Sequence, residues 1–291
     1  VDLQYANNEV ATQVSQIENM ISAGVKVLVI AAIDGKTLTS VLASAKTAGI
    51  YVIAYDRLIM DTDAVSYYCT FDNYMVGTIQ GQYIKDQLKL DDGGKYNIEI
   101  TAGDPADNNA LYFYQGAIDV LQPYIDSGVL TVVSKQVKFE EVATPAWSTE
   151  TSQARMEAIL ASFYADGTQL DACLCSNDST AKGVTNALAS SYTGKYPIVT
   201  GQDCDKPNVK NMISGKQSMS IFKDTRTLAA QTVTMVSDLL AGKTPEVNDT
   251  KSYDNGTGII PTYLCKPVFA DKNNYKELLI DSGYYKADQL G

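Results

Sequence analysis

The stretch V-T-G-Q-D, residues 199–203, decides the fold. A short apolar strand, residues 198–200, stops at Gly201 and leaves Gln202 and Asp203 just beyond its carboxyl end. In parallel α/β sheets, ligands bind in the crevice outside the carboxyl ends of the strands. The stretch therefore predicts a polar binding site at one edge of a parallel sheet.

The same arrangement recurs at four other predicted strands, residues 52–54, 98–101, 172–175 and 219–222. The polar or glycine residues that follow them are Asp56 and Arg57, Gly103 and Asp104, Asn177 and Asp178, and Lys223. Strands and helices alternate along the whole chain, which favours parallel sheets with right-handed crossovers. We therefore expect an α/β fold in which several strand ends build one site.

Two segments near the amino terminus carry further expectations. Residues 1–6 alternate apolar and polar side chains, which predicts a strand. Residues 25–32 form a nearly continuous apolar run, which is typical of a strand buried on both faces. Apolar residues at helical spacing between them, from Val10 to Ile21, predict a helix that ends at Gly24.

Composition limits the classes of protein to consider. The chain has 291 residues, a length typical of about two domains. Its formal net charge of −11 argues against a nucleic-acid surface or an anionic membrane surface. No run of 18 apolar residues is present, so no membrane span is expected. The chain begins at Val1 rather than Met, so the lack of a signal peptide says nothing about export.

The cysteines predict packing rather than chemistry. Five are present, without a C-x-x-C motif: Cys69, Cys173, Cys175, Cys204 and Cys265. Free cysteine is among the most buried residue types, so we expect five buried thiols and no disulfide framework. The chain has no histidine, which removes the commonest general base and the commonest neutral metal ligand. Neither a metal nor a cofactor is expected.

The strand-end residues have both structural and binding interpretations. Arg57 presents a rigid fork of donors and Asp56 two acceptors, which together suit adjacent hydroxyl groups, although a loop ion pair fits equally well. One residue among Asp107, Asn108 and Asn109 is expected to cap a helix, and so is one of Asn177 and Asp178. Asp203 is harder to explain as a cap, because Pro207 places the next helix start later.

The sequence allows two interpretations each for Trp147 and Lys223. The indole of Trp147, in a polar loop without a period, either stacks on an apolar sugar face or covers the core. Lys223 is either a site residue or a solvated lysine.

Catalytic motifs are missing: the chain has no G-x-S-x-G, no P-loop and no G-x-G-x-x-G. The mixture of Asn, Asp, Arg, Lys and Gln suits a neutral polyol better than acid–base chemistry.

Six runs in the sequence carry a resemblance to a known family. They are V-K-V-L-V-I-A-A-I-D-G (25–35), V-I-A-Y-D-R-L-I (52–59), P-A-D-N-N-A (105–110), S-N-D (176–178), V-T-G-Q-D (199–203) and I-F-K-D-T-R (221–226). With these runs the chain resembles the bacterial extracytoplasmic sugar-binding proteins of the ribose/galactose/xylose class. Within that class it is most similar to the multiple-monosaccharide-binding receptors, beside the D-xylose-binding proteins.

The resemblance implies two doubly wound parallel-sheet lobes of the periplasmic-binding-protein type I, with sugar in the cleft. The N-terminal lobe is expected to comprise residues 1–102 and 225–260, and the C-terminal lobe residues 103–224 and 261–291. The three crossings are expected near Ala102, Asp224 and Pro261. The sugar contacts implied by motif are Asp56, Arg57, Asp107, Asn109, Trp147, Asn177, Asp203 and Lys223.

The implied function is a receptor that binds a neutral aldose by hinge closure and delivers it to the permease of an ABC importer. The expected protein is a monomer, periplasmic or lipid-anchored, without a nucleic-acid partner. A receptor that presents sugar to a chemoreceptor or a sensor kinase is equally compatible with the sequence. A transcription regulator with the same core requires a DNA-binding head, which the sequence lacks, and an enzyme is the remaining alternative.

Members of the family begin with one further strand and helix, which supply sugar contacts that include a second aromatic side chain. In the strand order 2-1-3-4-5, residues 1–6 would be strand two and residues 25–32 strand three. Without strand one, the first segment loses its ladder partner and the second keeps an unpaired edge. We therefore expect the native protein to contain such a segment. The alternative is that residues 1–6 pair directly with residues 25–32.

Overall fold

The computed structural model describes residues 1–290. The chain divides into two compact units, and it passes between them several times. The first unit comprises Val1–Asp72, Ala106–Asn109 and Asp224–Lys266. The second comprises Asn73–Pro105, Ala110–Lys223 and the chain from Pro267 onward.

The first unit is built on one parallel sheet. Its strands, in hydrogen-bonded order, are β1 (Val27–Ile30), β2 (Tyr51–Tyr55), β3 (Tyr67–Phe71) and β9 (Thr262–Cys265). Its helices are α1 (Val10–Ser22), α2 (Thr39–Thr47) and α9 (Thr225–Leu240). The apolar stripe of α9 packs through Leu228 and Met235 on the buried residues Ile53 and Phe71 of the sheet.

The second unit is built on a second parallel sheet with one antiparallel edge. Its strands are β4 (Tyr96–Thr101), β5 (Leu130–Val132), β6 (Ala172–Cys175), β7 (Ile198–Val199), β8 (Met219–Phe222) and β10 (Val268–Asp271). The order is β5-β4-β6-β7, and a parallel bridge between Gln202 and Ile221 leads on to β8. β10 pairs with β8 in the antiparallel direction.

The helices of the second unit lie between these strands in sequence. They are α3 (Asn73–Leu88), α4 (Asn108–Asp126), α5 (Phe139–Val142), α6 (Thr149–Phe163), α7 (Asp178–Ser191) and α8 (Lys206–Ile213). The predicted α/β class with parallel sheets is thus confirmed: both four-stranded sheets are built of parallel strands, and helices connect their consecutive strands except β2 and β3, which a loop joins. No helix among residues 1–290 is both long and apolar enough to cross a membrane.

The boundary between the units differs from the predicted one. We expected residues 1–102 in the first unit, but Asn73–Pro105 belongs to the second. One reason is that β4 pairs with β5 and β6 in the second sheet. The other is the close packing of α3 on α4: a Cβ added at Gly77 would lie 2.0 Å from the Phe113 carbonyl oxygen. Gly116 approaches the backbone of α3 in the same way, so only glycine fits at this contact. The last crossing also differs, at Lys266 rather than near Pro261.

The prediction of a strand over residues 1–6 is wrong for this structure. These residues form neither a helix nor a strand, and the side chains of Val1, Leu3 and Tyr5 are exposed. Within residues 1–290, β1 is paired with β2 only, so the alternative of direct pairing with residues 1–6 is not found. Because one face of β1 is uncovered, Val29 is 44 % exposed, and the expectation of a strand buried on both faces also fails.

The five cysteines are free and buried, as the sequence predicts. Cys69 and Cys265 belong to the core of the first unit, and Cys173 and Cys175 to a core of the second. Burial raises the pKa of the Cys173 and Cys175 thiols, which keeps them in the neutral form. They act as small apolar side chains in the packing.

Candidate functional site

In the first unit, the turn after β2 places Asp56 in a left-handed conformation, with φ +62°. Such a conformation costs free energy in a non-glycine residue and persists where its surroundings fix it. Here the Asp56 carbonyl oxygen accepts three hydrogen bonds, from the Tyr68 hydroxyl at 2.6 Å, Thr70 Oγ1 at 2.9 Å and Asn109 Nδ2 at 2.8 Å. The direction of the Asp56 side chain is therefore set by its own backbone.

Arg57, the next residue, is held from two sides. Its Nη1 donates to the Ile33 carbonyl oxygen at 2.9 Å, and its Nε lies 3.1 Å from Asp107 Oδ2. The Asp107 side chain is buried, whereas that of Arg57 is 29 % exposed. A guanidinium group has five N–H donors in a fixed plane. These two contacts fix that plane and leave further donors for a ligand.

The segment that precedes α4 both caps that helix and contacts Arg57. Asp107 Oδ1 accepts the Asn109 N–H at 3.0 Å, so Asp107 caps the helix while its other oxygen pairs with Arg57. Asn109 Oδ1 lies 2.9 Å from the same Tyr68 hydroxyl oxygen, so it shares with the Asp56 carbonyl oxygen the one proton of that hydroxyl. Burial raises the pKa of Tyr68, and the nearby Tyr253, Asp56 and Asp107 add to the rise, so the phenol stays a neutral donor. Asp56, Arg57, Asp107 and Asn109 thus form one cluster, which we call the first-unit cluster.

In the second unit, the stretch that decides the fold ends in a sharp turn. Asp203 has φ +97° and Cys204 φ +53°, and the Asp203 N–H donates to the Ile221 carbonyl oxygen at 2.8 Å. The Asp203 side chain is 38 % exposed, and its Oδ1 lies 3.2 Å from Lys223 Nζ. The ends of β7 and β8 thus present one acceptor and one donor side by side.

Aromatic side chains border this ion pair. Lys223 Nζ lies 5.5 Å from the centre of the Phe113 ring, within the range of a cation–π contact. The Phe113 and Trp147 rings are tilted, with 6.3 Å between their centres. Trp147 is half-buried, and its ring covers Gly103, where an added Cβ would lie 1.9 Å from Cη2. Only a glycine at the end of β4 allows this indole position.

Asn177 is the cap residue of α7. Its Oδ1 accepts the Thr180 N–H at 2.9 Å, and the Thr180 hydroxyl completes a capping box. The sequence left this choice between Asn177 and Asp178 open. Asn177 is 9 % exposed, and its amide nitrogen has no hydrogen-bond partner among residues 1–290. Asn177, Asp203, Lys223 and Trp147 form the second-unit cluster.

The sequence interpretation missed the side chains that support these clusters. Tyr68 supports the turn of Asp56, and Gln80 Nε2 donates to the carbonyl oxygens of Ser176 and Gly201, at 3.2 and 2.9 Å. Asp178 lies beneath the second-unit cluster with no exposed surface. Burial and the Asp203 carboxylate raise the pKa of Asp178, while the Gln217 amide and the Asp205 N–H act in the opposite direction. A buried tyrosine in a strand or a buried glutamine in a helix carries no sequence signal that separates it from ordinary core residues.

The arrangement suits binding more than bond cleavage. The two clusters offer carboxylates, a guanidinium, an ammonium and amides, most of them already paired with each other, together with one indole face. Groups of three or more side chains able to hold a metal ion do not occur within residues 1–290. Paired donors and acceptors beside an aromatic face are complementary to hydroxyl groups on a largely apolar ring.

Comparisons with known proteins give a consistent result. Residues 1–244 match the family model described as periplasmic binding protein domain. The chain is 53 % identical to the multiple sugar-binding periplasmic receptor ChvE of Rhizobium radiobacter over 99 % of this chain and 83 % of the relative. It is 36 % identical to the D-xylose-binding periplasmic protein of Escherichia coli, over 100 % of this chain and 83 % of that protein.

Solved structures agree with these relatives. An ABC transporter solute-binding protein from Clostridium phytofermentans with bound β-D-glucose is 70 % identical, with a TM-score of 0.98 over 100 % of this chain and 90 % of that one. A carbohydrate transporter solute-binding protein from Chloroflexus aurantiacus, in complex with D-glucose, is 35 % identical, with a TM-score of 0.88 over 97 % of this chain and 86 % of that one.

Proposed function

Because this chain belongs to the periplasmic binding protein family, we propose that it captures a neutral aldose, such as glucose, xylose, galactose or arabinose, and delivers it unchanged to an ABC importer. The members named above are binding proteins and receptors rather than enzymes. The observation that carries the proposal is the second-unit cluster, where the Asp203–Lys223 pair adjoins the aromatic rings of Phe113 and Trp147.

Neutral hydroxyls are the ligand groups that this cluster matches best. A sugar hydroxyl can donate to the Asp203 carboxylate and accept from Lys223 at the same time. Asp203 and Lys223 already balance each other's charge. A charged ligand that paired with one of them would leave the other without its partner. An unpaired buried donor or acceptor costs about 1–3 kcal/mol, so affinity depends on how completely the hydroxyls are matched.

The first-unit cluster supplies a second set of contacts in the proposal. Arg57 and Asp56 present a fork of donors and a carboxylate, and Asp107 fixes the guanidinium plane. A ligand shifts a protein toward the conformation that binds it more tightly. Binding then changes the conformation that a permease meets, which is how we propose that loaded and empty receptor are told apart.

The proposed partner is the membrane permease of an ABC importer, and the proposed location is extracytoplasmic, either free in the periplasm or anchored by a lipid. Several relatives are named as periplasmic proteins, which supports this location. The proposal treats the receptor as a monomer without cofactor, metal or nucleic-acid partner.

A thermal-shift screen with D-glucose, D-xylose, D-galactose and L-arabinose tests the proposal, with mannitol as the control polyol. Ligand binding stabilises the folded state by RT ln(1 + [L]/Kd), which is about 2.7 kcal/mol at a hundred times Kd. We expect at least one aldose to raise the melting temperature in a concentration-dependent way, and mannitol to leave it unchanged. A melting temperature that no aldose shifts at millimolar concentration contradicts the proposal.

A further inference from the structure

Asp178 is a carboxyl group with no exposed surface, directly beneath the second-unit cluster. Its Oδ1 accepts hydrogen bonds from Gln217 Nε2 at 2.8 Å and Ser220 Oγ at 3.0 Å, and its Oδ2 accepts the Asp205 N–H at 2.8 Å. A buried carboxyl group is costly unless its oxygens are satisfied. Here three donors, one from Asp205 and two from residues 217–220, offset part of the free energy of desolvation.

The backbone of Asp178 contacts the same loop. Its N–H donates to the Gln202 carbonyl oxygen at 2.9 Å, and its side chain holds the N–H of Asp205. Asp203 lies between these two attachment points. Asp178 therefore fixes the loop on both sides of the residue that carries the exposed carboxylate.

The loop between these points is strained. Asp203 and Cys204 both have positive φ angles, at +97° and +53°, which are uncommon for residues other than glycine. The Cys204 N–H donates to Ser220 Oγ at 3.1 Å, and the same hydroxyl donates to Asp178. Such conformations persist only where the surroundings over-determine them. The Asp178 carboxyl group accepts the Asp205 N–H directly and is linked to the Cys204 N–H through the Ser220 hydroxyl.

We propose that Asp178 is a positioning residue for sugar binding, which holds residues 202–205 in the left-handed turn that places the Asp203 carboxylate beside Lys223. This inference rests on the proposed function. It concerns a residue that need not contact the sugar, since Asp178 is covered on every side by protein.

Each hydrogen-bond partner of the two Asp178 carboxyl oxygens is a donor. Gln217 cannot turn its amide around, because its Oε1 accepts Asn208 Nδ2 at 2.8 Å. The Ser220 oxygen accepts the Cys204 N–H, and its hydroxyl proton is donated to Asp178 Oδ1. Turning the hydroxyl away would break the bond to Asp178. The third partner is a backbone N–H. An asparagine at position 178 therefore faces a donor with its own NH₂ group, in spite of its nearly identical shape.

The test compares Asp178→Asn and Ser220→Ala with a matched control, Ser134→Ala. Ser134 is also buried, its hydroxyl donates to the buried Glu99 carboxylate at 2.6 Å, and its oxygen accepts a backbone N–H, from Gln136 at 3.3 Å. It therefore reproduces the local chemistry of Ser220 away from the loop. Urea denaturation of each variant measures stability, and calorimetry with D-glucose measures affinity.

We expect Asp178→Asn and Ser220→Ala to weaken D-glucose binding at least roughly tenfold. The control is expected to lose stability but to bind within about twofold of the wild type. In an Asp203→Ala background, Asp178→Asn should add little further loss, because residues that act as a unit are not additive. Wild-type affinity in both loop variants, or full additivity with Asp203→Ala, overturns the proposal.

Amide hydrogen exchange of residues 203–205, measured without sugar, separates this inference from the proposed function. If Asp178 positions the loop, these amides exchange faster in Asp178→Asn and in Ser220→Ala, and not in Ser134→Ala. If the wild type binds no aldose, the proposed function has failed, and the exchange rates alone decide the positioning role. Unchanged exchange rates in both loop variants contradict it.

Discussion

Gly103→Ala tests the placement of the indole in the second-unit cluster. The added Cβ would lie 1.9 Å from Trp147 Cη2 and 2.1 Å from Cζ3, whereas ordinary contacts begin at 3.4 Å. The ring must therefore retreat by about 1.5 Å. The loop cannot easily follow, because the Thr144 N–H donates to the Gly103 carbonyl oxygen at 2.9 Å and the Trp147 N–H to that of Thr144 at 3.0 Å.

The expected cost follows from this geometry. Forcing an extra methyl group into packed side chains costs about 1–3 kcal/mol. If the retreat removes the indole face from the sugar, most of this cost appears in binding, where about 1.4 kcal/mol is a factor of ten. We therefore expect D-glucose to bind at least roughly tenfold more weakly to Gly103→Ala than to the wild type.

The assay is calorimetry on Gly103→Ala, Trp147→Ala and the double variant. If Gly103 acts through the indole, Gly103→Ala costs little affinity once the indole is gone, which gives a large coupling free energy in the cycle. Because Trp147 is the sole tryptophan of the chain, its emission should also change in Gly103→Ala without sugar. Equal costs in both backgrounds, or unchanged emission, refute the reasoning.

Three further predictions follow from the two clusters and from Asp178. Asp203→Ala and Arg57→Ala should each weaken aldose binding at least roughly tenfold while the fold survives, and calorimetry showing wild-type affinity in both places the site elsewhere. Trp147 emission should change in intensity or wavelength during a sugar titration, and an unchanged spectrum during binding seen by calorimetry removes the indole from the site. The raised pKa of Asp178 means that the folded state binds this proton more tightly than the unfolded chain. The stability that this group contributes is therefore present at low pH and is lost as the pH rises from 3.8, its ordinary pKa, toward the raised pKa. Over that range, urea denaturation should show the wild type losing stability relative to Asp178→Asn. A difference that is constant with pH contradicts this sign.

Much of the fold could be predicted from the sequence, because apolar periodicity determines most of its elements. The strands over Ala172–Cys175 and Met219–Phe222 have the predicted bounds, since turn residues flank both. The unit boundary could not be predicted, because it depends on how closely α3 approaches α4. A glycine within a helix, such as Gly77, permits that approach, but the sequence does not show which helix will pack there.

The candidate site, too, could be predicted from the sequence only in part. Strand ends predicted which polar residues cluster, and the structure brings Arg57 to Asp107 and Asp203 to Lys223. The sequence could not show that Asp107 both caps α4 and orients Arg57, because that pairing joins residues far apart in the chain. Nor could it identify Asp178 as more than a helix-start residue, since its burial and its three donors come from tertiary structure. That the eight predicted residues contact a sugar remains a prediction.

Calorimetric titration of the protein with D-glucose, followed by chemical identification of the recovered sugar, tests the central claim most directly. We predict saturable binding at one site per chain, abolished or strongly weakened in Asp203→Ala, and recovery of the sugar chemically unchanged. A sugar that returns altered would show an enzyme, and an absence of heat and of competition for all four aldoses of the screen would contradict a monosaccharide receptor.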